Sequence, residues 1–318
     1  MGNKDVSHIK KEIKETNSLF DNVRSKYILE IILSNIEKFK LLKIIKNNKK
    51  LQNKLNINKK DFKECSGKYS SIELKIKPVK NEYGRFIYIS NEEENYYHIY
   101  FDNDKSERYS YYDSSNLFYS YKYENKYHKT DSLREIDSVS EIKIIIDYPI
   151  TSFKCLFYEC KCIESVKFTK FYRNNIEDMS SMFYFCTSLK NIDFSNFNTE
   201  NVNDMSHMFH GCSALKSVNL KKFNTNKVNN MSCMFLLCKS IKELNLSDFN
   251  TEKVNDMSYM FKMCSSLKNL YFSNFNIDRL INSEGIFSGC DSLKRIKIFN
   301  NDGLKKVLIE KSIIEFKK

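Results

Sequence analysis

A 26-residue repeat constrains the fold of this chain more than any other feature. Phenylalanine recurs at one position of the repeat and cysteine at another: Phe157, Phe183, Phe209, Phe235, Phe261 and Phe287, with Cys160, Cys186, Cys212, Cys238, Cys264 and Cys290. A period of this length is typical of proteins in which each unit buries its apolar side by stacking on its neighbours. We therefore expect residues 153–299 to form a stack of about six coils.

A short strand is predicted once in every unit. Ile192 and Phe194 occupy alternate positions, which predicts a strand over about 190–195 with inward apolar side chains. The same pattern ends at Leu220 in the next unit, so the strands of successive units are expected to form a parallel sheet. The asparagines that follow should bond neighbouring backbone in a bend: Asn198, Asn224, Asn250 and Asn276.

A helical turn is predicted after the bend. Val202, Met205 and Met208 are three residues apart and would share one side of a helix. Short polar side chains precede each such turn and would cap its free N–H groups: Asp178, Asp204, Asn230 and Asp256. One strand, one bend and one helical turn per unit predict an α/β array of leucine-rich-repeat type.

The repeat also resembles a known family. Its consensus, N-F-N-T-x-N-V-x-D-M-S-x-M-F-x-x-C-x-S-L-K-x-L-x-L, is similar to the BspA-type leucine-rich repeat over about residues 153–298. Members occur on bacterial surfaces and, much expanded, in protist genomes. The resemblance implies a curved parallel-sheet solenoid that binds proteins and has no enzymatic activity. Ser283 and Ile286 depart from the pattern in the last units, as expected of an end repeat.

The repeated cysteines and methionines are predicted to fill the core. Six of the ten cysteines share one position of the repeat, and an unpaired cysteine behaves as a small buried hydrophobe. His207 and His210 are not repeated in other units, which argues against a zinc site. We therefore expect free buried thiols, no metal and no cofactor.

The outward face of the predicted sheet is the candidate binding surface, because its side chains vary while the scaffold stays fixed. Tyr271 and Arg295 are of the types that most often anchor interfaces. A row of lysines runs beside these residues at about 4.8 Å per coil, and is either spread in solvent or answered by an acidic partner. The candidate residues are Asn191, Ser217, Glu243, Asn269 and Arg295, then Asp193, Asn219, Asn245, Tyr271 and Lys297, and the lysines Lys190, Lys216, Lys242, Lys268 and Lys294.

Residues 1–66 are predicted to be a basic helical module, since residues 1–60 carry fifteen Lys and Arg against six Asp and Glu. Apolar residues recur at helical spacing over 25–56, in an order that resembles an F-box, although the usual Leu-Pro opening is absent. The resemblance implies a ubiquitin-ligase subunit as a partner. A plain helical cap and a partner-binding bundle remain alternatives.

Two further segments flank the repeats. Residues 67–152 are rich in tyrosine and β-branched residues, which predicts a small antiparallel sheet leading into the repeats, with residues 142–146 covering the first coil's open edge. Residues 61–152 carry thirteen Lys and Arg against seventeen Asp and Glu, so we expect no nucleic-acid partner there. The tail, 300–318, is predicted to be a C-terminal cap.

Known catalytic motifs are missing from the sequence, and it has neither a run of eighteen apolar residues nor a signal-peptide pattern. The leading expectation is a cytoplasmic, non-enzymatic protein that binds a partner protein along its sheet. An F-box-like substrate adaptor of a ubiquitin ligase is one alternative. A surface adhesin is another, although it requires an export route that the N-terminal sequence does not show.

Overall fold

The computed structural model describes residues 48–54, 70–102, 104, 106–111, 127–147, 150–272 and 279–298. The chain divides into two compact units, Met1–Ser71 and Ile72–Lys318. The first unit contributes one described helix, α1 (Lys49–Lys54), in which Asn48 Oδ1 accepts a hydrogen bond from Leu51 N at 3.0 Å. The rest of the predicted N-terminal module, Asn276 and the predicted C-terminal cap lie outside the described residues.

Among its described residues, the second unit consists of strands and turns and contains no α-helix. One 3₁₀ turn occupies Glu94–Tyr96. The strands are β1 (Ile72–Pro78), β2 (Gly84–Arg85), β3 (Tyr97–Phe101), β4 (Tyr109–Tyr111), β5 (Tyr127–Lys129), β6 (Ser132–Leu133), β7 (Ile142–Ile146), β8 (Ile163–Lys170), β9 (Asn191–Asp193), β10 (Glu243–Leu246), β11 (Asn269–Phe272) and β12 (Arg295–Ile298).

A five-stranded sheet of order β3-β7-β1-β8-β9 joins the aromatic segment to the first repeats. The predicted antiparallel sheet is confirmed, because β1 pairs antiparallel with both β7 and β8. The prediction that Ile142–Ile146 covers the first coil is wrong: β7 lies one strand further out. β1 covers it instead, since its alternate Leu74 and Ile76 face Phe168 and Val166 and bury the edge of β8.

The parallel sheet of the repeats is confirmed for β10, β11 and β12, which pair at an offset of 26 residues, as in Glu243 with Asn269 and Asn269 with Arg295. The strand predicted to end at Leu220 is not formed, and no described strand lies between β9 and β10. Leu220 is nevertheless buried. This coil stays in register because, on the side of the stack opposite the strands, backbone hydrogen bonds join it to both neighbouring coils.

The predicted helical turn is wrong. Each unit instead has a run of tight turns, which we call the turn ladder: residues 152–160, 178–186, 204–212, 230–238, 256–264 and 282–290. Two residues of each run have a positive φ, for example Ser181 at 55° and Phe185 at 50°. A left-handed residue cannot continue a right-handed helix, so the chain turns again after it.

Alternate N–H groups of the turn ladder donate to the next coil. Phe183 N donates to Met208 O at 2.9 Å, and Phe209 N donates to Met234 O at 2.9 Å. The predicted capping residues act in these turns as well, because Asp204 Oδ1 accepts from Ser206 N at 2.7 Å. Equivalent bonds join every neighbouring pair of coils from 152–160 to 282–290, so the turn ladder is a continuous parallel seam.

The core prediction is confirmed for the repeated residues. The rings of the Phe column stack with centroid separations of 5.0 to 5.8 Å from Phe157 to Phe287. The repeated methionines are at most 1% exposed. The cysteine column is buried except at Cys290, which is partly buried. From Cys186 onward, each thiol of the column donates to the carbonyl of a phenylalanine in the preceding coil, as Cys238 Sγ does to Phe209 O at 3.0 Å.

The bends contain a second inter-coil contact that the sequence analysis missed. Thr225 Oγ1 donates to Asn250 O and accepts from Asn250 N, both at 2.8 Å. Thr199 makes the same two bonds with Asn224. The predicted role of asparagine is confirmed at three bends, where Oδ1 of Asn198, Asn224 and Asn250 accepts from the backbone N two residues on. The bends at Asn198 and Asn224 are therefore bonded both within their own coil and to the next.

We predict that Thr225→Val destabilises the protein by about 2–3 kcal/mol, because it leaves a backbone N–H and a carbonyl of Asn250 without their partner. Thr225→Ser keeps the hydroxyl and should cost about 1 kcal/mol or less. Urea unfolding of the two variants measures the difference. Equal stability of the two variants would contradict the role of the hydroxyl.

Candidate interaction surfaces

The sheet face is the surface formed by the outward side chains of the repeat strands. Successive side chains of a strand point to opposite sides, so Leu244 and Leu246 are buried while Glu243 and Asn245 are exposed. Because the strands are in register, residues 26 positions apart lie side by side on this face. The sequence-predicted rows are therefore rows of neighbours where the strands pair.

Most of the predicted binding residues are at the surface. Lys190, Asn191, Lys216, Ser217, Asn219, Lys242, Glu243, Asn245, Lys268 and Lys294 are exposed. Asp193, Asn269 and Tyr271 are partly buried. Arg295 and Lys297 belong to β12, and their side chains lie outside the described part of the structure.

The second outward row has a structural use that the sequence analysis did not anticipate. Asp193 Oδ1 accepts from Ser195 N at 2.9 Å, and Asn245 Oδ1 accepts from Ser247 N at 3.0 Å. Asn219 bonds Lys221 N in the same way at 3.2 Å. These side chains hold the turns that follow the strand positions of their coils, so part of their hydrogen-bonding capacity is already committed.

The lysine row begins with an acidic residue. Glu164 occupies the equivalent position in the preceding coil, and its carboxylate contacts Lys190 Nζ at 3.1 Å and Lys77 Nζ at 2.7 Å. Hydrogen bonds donated by these ammonium groups to Glu164 lower the pKa of its carboxyl below the ordinary value. Lys242, Lys268 and Lys294 are joined through their backbones, with Lys268 N donating to Lys242 O and Lys294 N donating to Lys268 O.

The turn ladder presents a second surface, with an aromatic character that the sequence analysis missed. Tyr158 and Tyr184 stack at 4.8 Å, and Tyr184 contacts the ring of His210 at 4.6 Å. Phe185 lies over Gly211, where an added Cβ would come within 2.9 Å of the ring. The sequence contains this pattern, since Tyr158, Tyr184 and His210 are spaced by 26 residues. It is hard to recognise because the residue type differs between units.

His207 and His210 form a pair on this second surface, with their Nδ1 atoms 3.0 Å apart. Burial, together with the charge of His207, lowers the pKa of His210 to about 4. Burial also lowers the pKa of His207. Both imidazoles are therefore neutral at pH 7, and one can donate its Nδ1–H to the other. Among the described residues, no three His, Cys, Asp or Glu side chains are grouped as metal ligands.

A third cluster of charges lies on the outer strands of the five-stranded sheet. His98 contacts Glu107 at 2.7 Å and Asp147 at 3.2 Å. The hydrogen bond with Asp147 raises the pKa of His98 despite partial burial. Burial alone would raise the pKa of Glu107, but hydrogen bonds from Lys129 and His98 lower it to about 2. These groups neutralise one another, which is typical of a structural network.

The thiols of the cysteine column are poor nucleophiles. Burial raises the pKa of Cys290 to about 11 and raises the pKa of Cys186 and Cys238 well above the ordinary value of a thiol. A thiolate is the reactive form of cysteine, so these side chains are held in their unreactive form at neutral pH. Cys155 and Cys233 lie outside the column, and burial raises the pKa of each of them too.

Comparison with known proteins places a similarity on the repeats. Residues 151–244 and 177–300 match DUF285, a family described as Mycoplasma protein of unknown function. The two matches together run over 150 of the 318 residues. No curated protein matches the chain.

A solved structure also resembles part of the chain. It is a leucine-rich repeat protein from Bacteroides ovatus, 23% identical, with a TM-score of 0.34. The match covers 49% of this chain and 37% of that one, so this chain spans little more than a third of the matched protein's length. Within the described ranges, no helix is long and apolar enough to cross a membrane.

We predict that the histidine pair makes the protein less stable in mild acid. The pKa values of both groups are lowered in the folded state, so their stabilising contribution is complete above about pH 6.5 and is lost as the pH falls toward 4. His207→Ser with His210→Leu introduces the residues found at Ser181 and Leu236 of neighbouring coils. The free energy of unfolding, measured by urea between pH 7 and pH 5, should fall less steeply in this variant.

His98→Gln is the matched control, since it removes a histidine whose pKa is raised and leaves the pair intact. This control should lose stability in acid at least as steeply as the unmodified protein. An unchanged slope in the His207→Ser, His210→Leu variant would contradict the assignment.

Proposed function

We propose that this protein is a non-enzymatic, protein-binding repeat protein whose repeats form a BspA-type leucine-rich-repeat solenoid and whose partner lies along the sheet face. The observation that carries the proposal is the difference between the inward and outward positions of β10, β11 and β12. Inward positions are apolar in all three strands and are buried in β10 and β11, while outward positions differ from coil to coil. A constant scaffold with a variable face is the arrangement that repeat proteins use for recognition.

The proposed absence of catalysis is supported by the state of the groups that could react. The column thiols have raised pKa values, and the charged groups around His98 are paired with one another. We also place the protein in the reducing cytoplasm. This proposal is supported by the cysteine column, in which five of the six thiol S–H groups, those from Cys186 to Cys290, are hydrogen-bond donors between coils.

The test is affinity purification from native lysate followed by quantitative mass spectrometry. We predict that a protein is enriched at physiological salt and that Tyr271→Ala with Arg295→Ala weakens its binding at least tenfold, because aromatic and arginine anchors carry much of an interface's energy. Tyr83→Ala with Arg134→Ala is the matched control, since these residues are exposed and lie outside the repeats. It should bind normally.

Failure to enrich any protein would contradict the proposed function. Unchanged affinity of the Tyr271→Ala, Arg295→Ala variant would place the binding surface elsewhere on the molecule. Folding of both variants is checked by their urea unfolding curves.

A further inference from the structure

Over most of its length, the lysine row has no acidic partner among the described residues. Lys216, Lys242 and Lys268 are exposed, and among the described residues none of their ammonium groups has a carboxylate within salt-bridge distance. Lys294 continues the same row. Parallel strands are about 4.8 Å apart, so these like charges are held closer together than the Debye length of about 8 Å at physiological salt.

The first coil shows how the row is satisfied when an acidic side chain is present. Glu164 stands at the row position of that coil, and its carboxylate pairs with Lys190, one coil along. The same carboxylate accepts from Lys77 of β1. A carboxylate at the height of one coil can therefore reach the lysine of the next, and this arrangement ends after Lys190.

We propose that the lysine row from Lys216 to Lys294 binds an extended acidic segment of a partner polypeptide, which continues along the stack the contact that Glu164 makes with Lys190. This inference rests on the proposed function and names the chemistry of the partner. Alternate side chains of an extended chain are about 6.8 Å apart, and the long lysine side chains adjust to the difference from the coil spacing.

Neighbouring side chains favour a polypeptide over a nucleic acid. Glu243 is exposed directly beside Lys242, and Asp193 lies near the start of the row. These carboxylates would repel a continuous phosphate backbone, whereas an acidic peptide can place a neutral residue opposite each of them. Amide side chains such as Asn191 and Asn269 also lie beside the row and can bond a peptide backbone.

The experiment measures fluorescence anisotropy of a labelled ten-residue peptide of alternating Glu and Thr with the full-length protein. We expect the peptide to bind, and the same peptide with Gln in place of Glu to bind at least tenfold more weakly. Lys242→Glu with Lys268→Glu and Lys294→Glu should abolish binding of the acidic peptide. The same variant should gain binding of a peptide of alternating Lys and Thr, a result that loss of structure cannot produce.

Lys80→Glu with Lys154→Glu and Lys253→Glu is the matched control, since it changes the net charge equally at exposed lysines outside the row. It should bind the acidic peptide within twofold of the unmodified protein. The proposal is overturned if the acidic peptide does not bind, if the control loses as much affinity, or if a ten-nucleotide single-stranded DNA binds more tightly through the same lysines.

These outcomes separate the inference from the proposed function. A partner protein that still depends on Tyr271 and Arg295, with no preference for the acidic peptide, would refute the lysine-row proposal alone. Loss of both results would refute the two together.

Discussion

The turn ladder is the constraint on which the rest of the repeat structure depends. Its backbone N–H groups donate to the next coil at every step from 152–160 to 282–290, even where the sheet side has no paired strand. The turn ladder requires residues in the left-handed region, with a positive φ, and nine of these residues are not glycine. Each such residue costs about 1–2 kcal/mol. The strain is therefore substantial, and it is opposed by the stacked phenylalanines and the buried thiol hydrogen bonds on the inner side.

Most of the core could be predicted from the sequence because the same residue recurs at the same place in each unit. Phenylalanine, methionine and cysteine columns, the alternation within strands and the parallel register all follow from the period. The turns could not be distinguished from a helix, since a spacing of three residues fits both. The decisive residues, such as Ser181, Phe185 and Leu237, are left-handed without being glycine and so carry no local signal.

The surface positions of the candidate residues could be predicted in part. Strand parity predicted that Asn191, Glu243 and Asn245 point outward, where they are exposed, because it depends only on which residues are apolar. It could not reveal that Asp193 and Asn245 hold the turns that follow, since that role depends on where the chain turns. The 26-residue period places Glu164 at the position of Lys190, but it could not reveal that the two side chains form an ion pair, because that contact depends on their geometry.

The two surfaces of the stack differ in chemistry. The sheet face is polar and carries the lysine row, while the surface over the turn ladder carries tyrosine, phenylalanine and the neutral histidine pair. Recognition along the sheet face needs the coils to stay in register, because the lysines lie side by side only when neighbouring strands align. The function that we propose therefore depends on the same inter-coil bonds that hold the fold.

Deletion of one repeat tests this account most directly. Removing residues 213–238 joins Cys212 to Lys239 at equivalent positions and deletes one coil of 26 residues, whereas removing residues 213–236 shifts every later residue by two positions. We predict that the first deletion leaves a protein that unfolds cooperatively in urea and that the second does not fold. Cooperative folding of both variants, or of neither, would contradict a stack held by bonds between equivalent residues.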